Sequence, residues 1–207
     1  MANNKVKYNL KNVHYALREL DADGNVSYGA PVRIPGAVSL SLDANGEPEN
    51  FYADGIAYYF INNNMGYEGD LELALIPESF RVEVLNETLD SNKVLVENSG
   101  AEVHPFALLF EFDGDVKHIR HVLYNCSASR PGIEGKTNEE SREVQTEKLT
   151  MKATPLPGGV VKAKTGDNTS SLTYLNWYRE VYITDAIVNE VAGTDDSGNT
   201  DPGTTGE

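Results

Sequence analysis

Residues 67–76 read Tyr67-Glu68-Gly69-Asp70-Leu71-Glu72-Leu73-Ala74-Leu75-Ile76. Leu71, Leu73 and Leu75 alternate with Glu68, Asp70 and Glu72, so every second side chain is apolar and the others are acidic. A β-strand sends successive side chains to opposite faces, so this stretch makes a strand with one face on a core and one in water. The same alternation recurs in 37–43, where Val38, Leu40 and Leu42 interleave with Ser39, Ser41 and Asp43. Strands are also expected over 11–20, 26–34, 104–113, 115–126, 143–153 and 172–184, the last for its Tyr174, Trp177, Tyr178, Val181, Tyr182 and Ile183. Asp21-Ala22-Asp23-Gly24-Asn25 and Asp113-Gly114-Asp115 supply hairpin turns between neighbours. The pattern is that of a mainly β, antiparallel protein.

One helix start interrupts the strands. Pro77 and Glu78 suit a first helical turn, where a missing N–H costs nothing and an acid meets the positive end of the dipole. A short helix over 77–87 then puts Phe80 and Val84 on one face. Residues 127–142 read as a long loop. Residues 189–207 hold no Lys, Arg or aromatic residue, so they are expected to form a disordered tail after a body of residues 1–188.

The 207 residues carry 17 Lys plus Arg against 32 Asp plus Glu, a net charge of −15. Five of the acids lie in 189–207, which leaves −10 on the body. Such acidity opposes binding to phosphate backbones and to anionic membranes. A single cysteine, Cys126, allows no intrachain disulfide and is expected to be a buried structural thiol. The opening MANNKVKYNL has no apolar core of a signal peptide, and no apolar run approaches the ~20 residues of a spanning helix. A soluble protein made in the cytoplasm is expected.

The catalytic and metal motifs fail on their spacing. Asp21, Asp23 and Asn25 begin like a calcium loop, but the required Gly and carboxylate positions hold Val26 and Val32. Gly135-Lys136-Thr137 ends like a phosphate loop, but Arg130 replaces its first glycine. His118 and His121 are three apart, which on a strand sends them to opposite faces; His14 and His104 stand alone. Cys126 has no histidine at nucleophile spacing, and no serine sits in a G-x-S-x-G elbow. No enzyme, cofactor or metal is expected. The eleven tyrosines leave open a carbohydrate-binding β-sandwich, although aromatics on strands usually pack in cores.

Several separated blocks, taken in order, resemble one family. They are Asn4-Lys5-Val6-Lys7-Tyr8, Asn12-Val13-His14-Tyr15-Ala16, Pro35-Gly36-Ala37-Val38-Ser39-Leu40, Phe51-Tyr52-Ala53-Asp54-Gly55-Ile56-Ala57-Tyr58-Tyr59 and Gly66-Tyr67-Glu68-Gly69-Asp70-Leu71-Glu72. The most distinctive is Phe106-Ala107-Leu108-Leu109-Phe110-Glu111-Phe112-Asp113-Gly114-Asp115, continued by His121-Val122-Leu123-Tyr124-Asn125-Cys126-Ser127-Ala128-Ser129-Arg130-Pro131. Together these look like the major tail proteins of phages with long non-contractile tails, over roughly residues 4–185.

That resemblance implies an antiparallel β-sandwich or partial barrel with one flanking helix, polymerising as stacked six-membered rings into the tail tube. The implied partners are further copies of the chain and the tail-tip, tape-measure and terminator proteins. Double-stranded DNA would pass through without being held, and the protein would reside in the virion after assembly in the host cytoplasm. A lining of Lys or Arg would bind phosphate and stall the genome, whereas carboxylates keep it hydrated and centred. Glu68, Asp70 and Glu72 are the first candidates for such a lining, with Glu111 and Asp113 next. The long polar segments 43–55 and 127–142 are expected to be poorly ordered in the free subunit and to order when rings stack. The same fold would also serve as the inner tube of a contractile or prophage-derived injection apparatus.

Overall fold

The computed structural model describes residues 4–20, 25–137, 143–185 and 187. The tail expected over 189–207, and 138–142 of the expected loop, lie outside them. The first strand, β1 (Lys7–Leu20), is 14 residues long and pairs with β2 (Val26–Tyr28), β3 (Val32–Arg33) and β10 (Phe106–Gly114). From β10 the sheet continues through β11 (Ile119–Ala128), β12 (Glu147–Ala153) and β7 (Gly66–Leu73) to β4 (Ala37–Asn45) at its far edge. The short β13 (Lys162–Lys164) adds to β11, making nine strands in one sheet. Every pairing is antiparallel. The sheet curls, so that β4 comes within 8 Å of β1, Cα to Cα.

Two small hairpins stand apart from this sheet. One is β5 (Glu49–Ala53) with β6 (Ile56–Ile61); the other is β8 (Thr88–Leu89) with β9 (Leu95–Val96). A short helix, α1 (Glu78–Glu83), follows Pro77, whose φ of −61° suits the entry to a helix. It is shorter than the expected 77–87, but Phe80 and Val84 are both buried as their spacing required. The Phe80 ring meets Tyr15 and Phe106 edge-on, with centroids 5.2 and 5.5 Å away. Removing a ring packed like this costs about 3–5 kcal/mol.

Strand β10 explains why its sequence lacks alternation. Phe106, Leu108 and Phe110 point to a core shared with Tyr15, Leu71, Leu73 and Leu149. Ala107 and Leu109 point the other way, to a second core with Val122, Tyr124, Leu156, Trp177 and Val181. A strand covered on both faces reads as a continuous apolar run.

The cover on the second face corrects one expectation. Residues 172–184 are not a strand: α2 (Ser171–Asn176) opens there, and the chain runs on irregularly to Thr184. The Ser170 hydroxyl accepts from the Thr173 amide and caps the helix. Trp177 and Val181, four apart, both reach the second core, and the Trp177 indole donates to the His121 carbonyl at 3.3 Å. Packing against β10 and β11 overrides the β-propensity of these aromatics. Two helices, α1 and α2, thus stand among the described residues where one was expected. Strand β7 also ends earlier than its alternation implied, and Leu75 is 71% exposed.

Candidate functional site

Glu68, Asp70 and Glu72 lie on one face of β7, opposite buried Leu71 and Leu73. The ladder aligns them with Asp43, Ser41 and Ser39 of β4 on one side. On the other side stand Lys152, Thr150 and Lys148 of β12. Gly69 makes the close approach of β4 possible, because a Cβ there would lie 2.0 Å from the Ser41 carbonyl oxygen.

Each carboxylate has partners. The Thr146 and Ser39 hydroxyls donate to Glu72 at 2.5 and 2.9 Å and hold its carboxyl below the usual range. Thr150 donates to Asp70 at 2.8 Å, and Lys148 stands 3.7 Å from the same carboxylate. Lys152 lies 3.9 Å from Glu68. These pairs are exposed, and such pairs contribute little stability. The lysines were missed in the sequence, although they alternate with Leu149 and Met151 as the acids alternate with leucines. Four acids against two lysines leave the face at −2 per chain.

Glu111 and Asp113, the second pair of lining candidates, are tied into the fold. Glu111 is 2% exposed. It accepts from the Asn12 amide at 2.7 Å, Arg120 Nε at 3.0 Å and the Tyr178 hydroxyl at 3.2 Å. The Arg120 guanidinium lies 3.8 Å from the centre of the Tyr174 ring. Asp113, 8% exposed, meets Lys11 at 2.7 Å, the Asn9 amide at 3.0 Å and His118 at 2.7 Å. The Lys11 contact, followed by that of Asn9, holds its carboxyl low. Asn9 and Asn12 have positive φ and sit at the two register shifts of β1, so these acids clamp a bulged strand. Buried this way, neither offers a free carboxylate to a conduit in the single subunit.

The hairpin of β5 and β6 was expected to be part of a loose loop over 43–55. Instead, Asp54 and Gly55, at φ of 53° and 77°, make a two-residue turn between paired strands. Phe51, Tyr52, Ile56, Tyr58, Tyr59 and Phe60 are each 57–69% exposed. Neither strand pairs with the main sheet. The hairpin therefore presents aromatic side chains on both faces and buries almost none of them.

A cavity of about 200 Å³ opens where β4 faces β10 and β11 across the curl. Its walls include Leu42, Tyr67, Phe112 and His121, with Lys7 and Lys162 at the edge. The His121 ring stacks on Phe110, centroids 5.0 Å apart. Burial, helped by Lys164, Lys7 and Lys162, pushes its pKa down to about 4. His14 stacks on Tyr178, and His104 bonds the Glu83 carbonyl. Among the described residues, no group of three or more His, Cys, Asp or Glu side chains is placed to hold a metal ion. Cys126 is buried, and burial pushes its thiol up to about 12. No helix among the described residues is long and apolar enough to cross a membrane.

No family model matches the sequence, and no curated protein matches it.

Proposed function

We propose that this chain is a structural subunit that polymerises, as stacked rings of six, into the tail tube of a phage with a long non-contractile tail. In this reading the curled sheet is the sandwich or partial barrel of a tube subunit. The observation that carries self-association is the β5–β6 hairpin. A two-stranded hairpin alone is marginal in water, and large exposed apolar patches mark interaction surfaces. Six large apolar side chains stand uncovered on it. Covering each contributes about 2 kcal/mol, enough in sum to drive assembly against the entropy of association. The ordered sequence blocks give the polymer its family, and the face of Glu68, Asp70 and Glu72 gives it a lining. At −2 per chain, six copies place −12 around the axis, a surface that repels the phosphate backbone.

The test is sedimentation of the full chain across a concentration series, beside the variant F51S/Y59S. The wild type should grow into long particles above a critical concentration. The variant should keep the same circular dichroism and melting temperature yet stay small at ten times that concentration. A wild type that remains monomeric at every concentration, even with the tail-tip complex present, defeats the proposal.

A further inference from the structure

The cavity between β4, β10 and β11 is chemically unlike the rest of this chain. Its lining contains no carboxylate, in a protein with 32 acids and 17 Lys plus Arg. Two lysines line it instead, and a third stands beside one of its walls. Lys7 Nζ lies 4.6 Å over the Phe112 ring, and Lys162 Nζ lies 4.2 Å over the Tyr67 ring while contacting its hydroxyl. Lys164 aligns with His121 in the β11–β13 ladder. Among the described residues none of the three is paired with a carboxylate within 4.0 Å. His121, uncharged at neutral pH, adds a ring wall. The result is an aromatic recess with a positive rim.

The β5–β6 hairpin is its complement. Residues 46–61, Gly46 to Ile61, carry Glu47, Glu49 and Asp54 and no Lys or Arg. They also carry the exposed rings of Phe51, Tyr52, Tyr58, Tyr59 and Phe60. An apolar cavity of about 150 Å³ accepts a benzene ring, so about 200 Å³ has room for one aromatic side chain.

We infer that the hairpin of one copy docks on this recess of a second copy, inserting an aromatic ring while Glu47, Glu49 and Asp54 meet Lys7, Lys162 and Lys164. This rests on the polymer reading and specifies its receptor. The contact is head-to-tail: hairpin and recess are different surfaces, so each copy keeps one free to bind another, and the chain of contacts does not close on a pair. Buried aromatics supply the affinity, and the opposite charges fix the orientation and exclude wrong partners.

The experiment mixes unlabelled and ¹⁵N-labelled full-length protein, concentrates it to assembly, and joins touching acid–lysine pairs with a zero-length carbodiimide. Mass spectrometry then separates links between copies from links within one. Links between copies should join Glu49 or Asp54 to Lys7, Lys162 or Lys164. The variant K7E/K162E/K164E should need at least tenfold more protein to assemble. Adding E47K/E49K/D54K to it should bring that concentration back to within threefold of wild type, a rescue that a misfolded variant could not show. Assemblies that form without these links, together with a triple variant that assembles at the wild-type concentration, overturn the inference and leave polymerisation standing. Links confined to single copies also overturn it, because the recess would then hold its own hairpin. A wild type that never assembles defeats the polymer reading and this inference with it.

Discussion

Replacing Glu111 with Gln probes the most deeply buried ion pair among the described residues. The Glu111 side chain is 3% exposed and that of Arg120 15% exposed, so water screens neither well. The carboxylate accepts three bonds, from Asn12, Arg120 and Tyr178. Arg120 and Tyr178 both donate to Oε2, and Asn12 donates to Oε1. Glutamine therefore keeps the shape and one acceptor oxygen for the first two, removes the charge, and turns its NH2 towards the Asn12 amide. Removing one partner of a buried ion pair costs about 3–5 kcal/mol. Arg120 retains the Tyr174 carbonyl and the Tyr174 ring, so the lower end applies, about 3 kcal/mol. For a chain of this size that is a fall of roughly 9 °C in melting temperature. Urea unfolding followed by fluorescence reads it directly, because Trp177 is the sole tryptophan and packs beside this network. A cycle with R120Q should return a coupling of about 2 kcal/mol. An E111Q variant within 0.5 kcal/mol of wild type, or additive single variants, would refute the claim that this buried pair ties Glu111 into the fold.

Other outcomes follow from the same contacts. Changing Glu68, Asp70 and Glu72 together to Lys moves the face from −2 to +4 per chain. The fold should lose only about 1–2 kcal/mol, while tubes should gain salt-sensitive DNA affinity; tubes that still ignore DNA place this face away from the axis. His121 should titrate near pH 4 by NMR, against about 6.5 when unfolded. The unfolded chain then binds a proton that the native chain does not, so His121 lowers stability progressively as pH falls from about 6.5 to 4; a native midpoint near 6.5 counts against its burial. Cys126 should resist a thiol reagent at pH 8 until the protein unfolds, and full labelling of the native protein contradicts its packing.

Strands over 104–113 and 115–126 were legible as strands, but only those with one dry face also showed which side was buried. Leu71 and Leu73 against Glu68, Asp70 and Glu72 gave β7 its sides without ambiguity, because a one-residue slip would bury the acids. Segment 172–184 misled because its aromatics sit four apart. Tyr174 and Tyr178 share a face in a strand as well as in a helix, and only packing on Val122 and Leu109 decides between them. The hairpin at 49–61 was legible and was missed. Asp54-Gly55 between Phe51-Tyr52 and Tyr58-Tyr59 is a strong hairpin signal, but the polar residues of 43–50 hid it. Glu111 lay beyond reach, since Asn12 and Tyr178 are distant in sequence and no local pattern announces a buried acid. The recess has no local signature either: Lys7, Tyr67, Phe112 and Lys162 come from four separate strands.

Electron microscopy of the concentrated full-length chain, alone and with tail-tip proteins, bears most directly on the tube reading. Hollow tubes of stacked six-fold rings are expected, with the β7 face of Glu68, Asp70 and Glu72 on the axis and the β5–β6 hairpin reaching a neighbouring copy. Dispersed single particles under both conditions, or filaments without a central channel, contradict it.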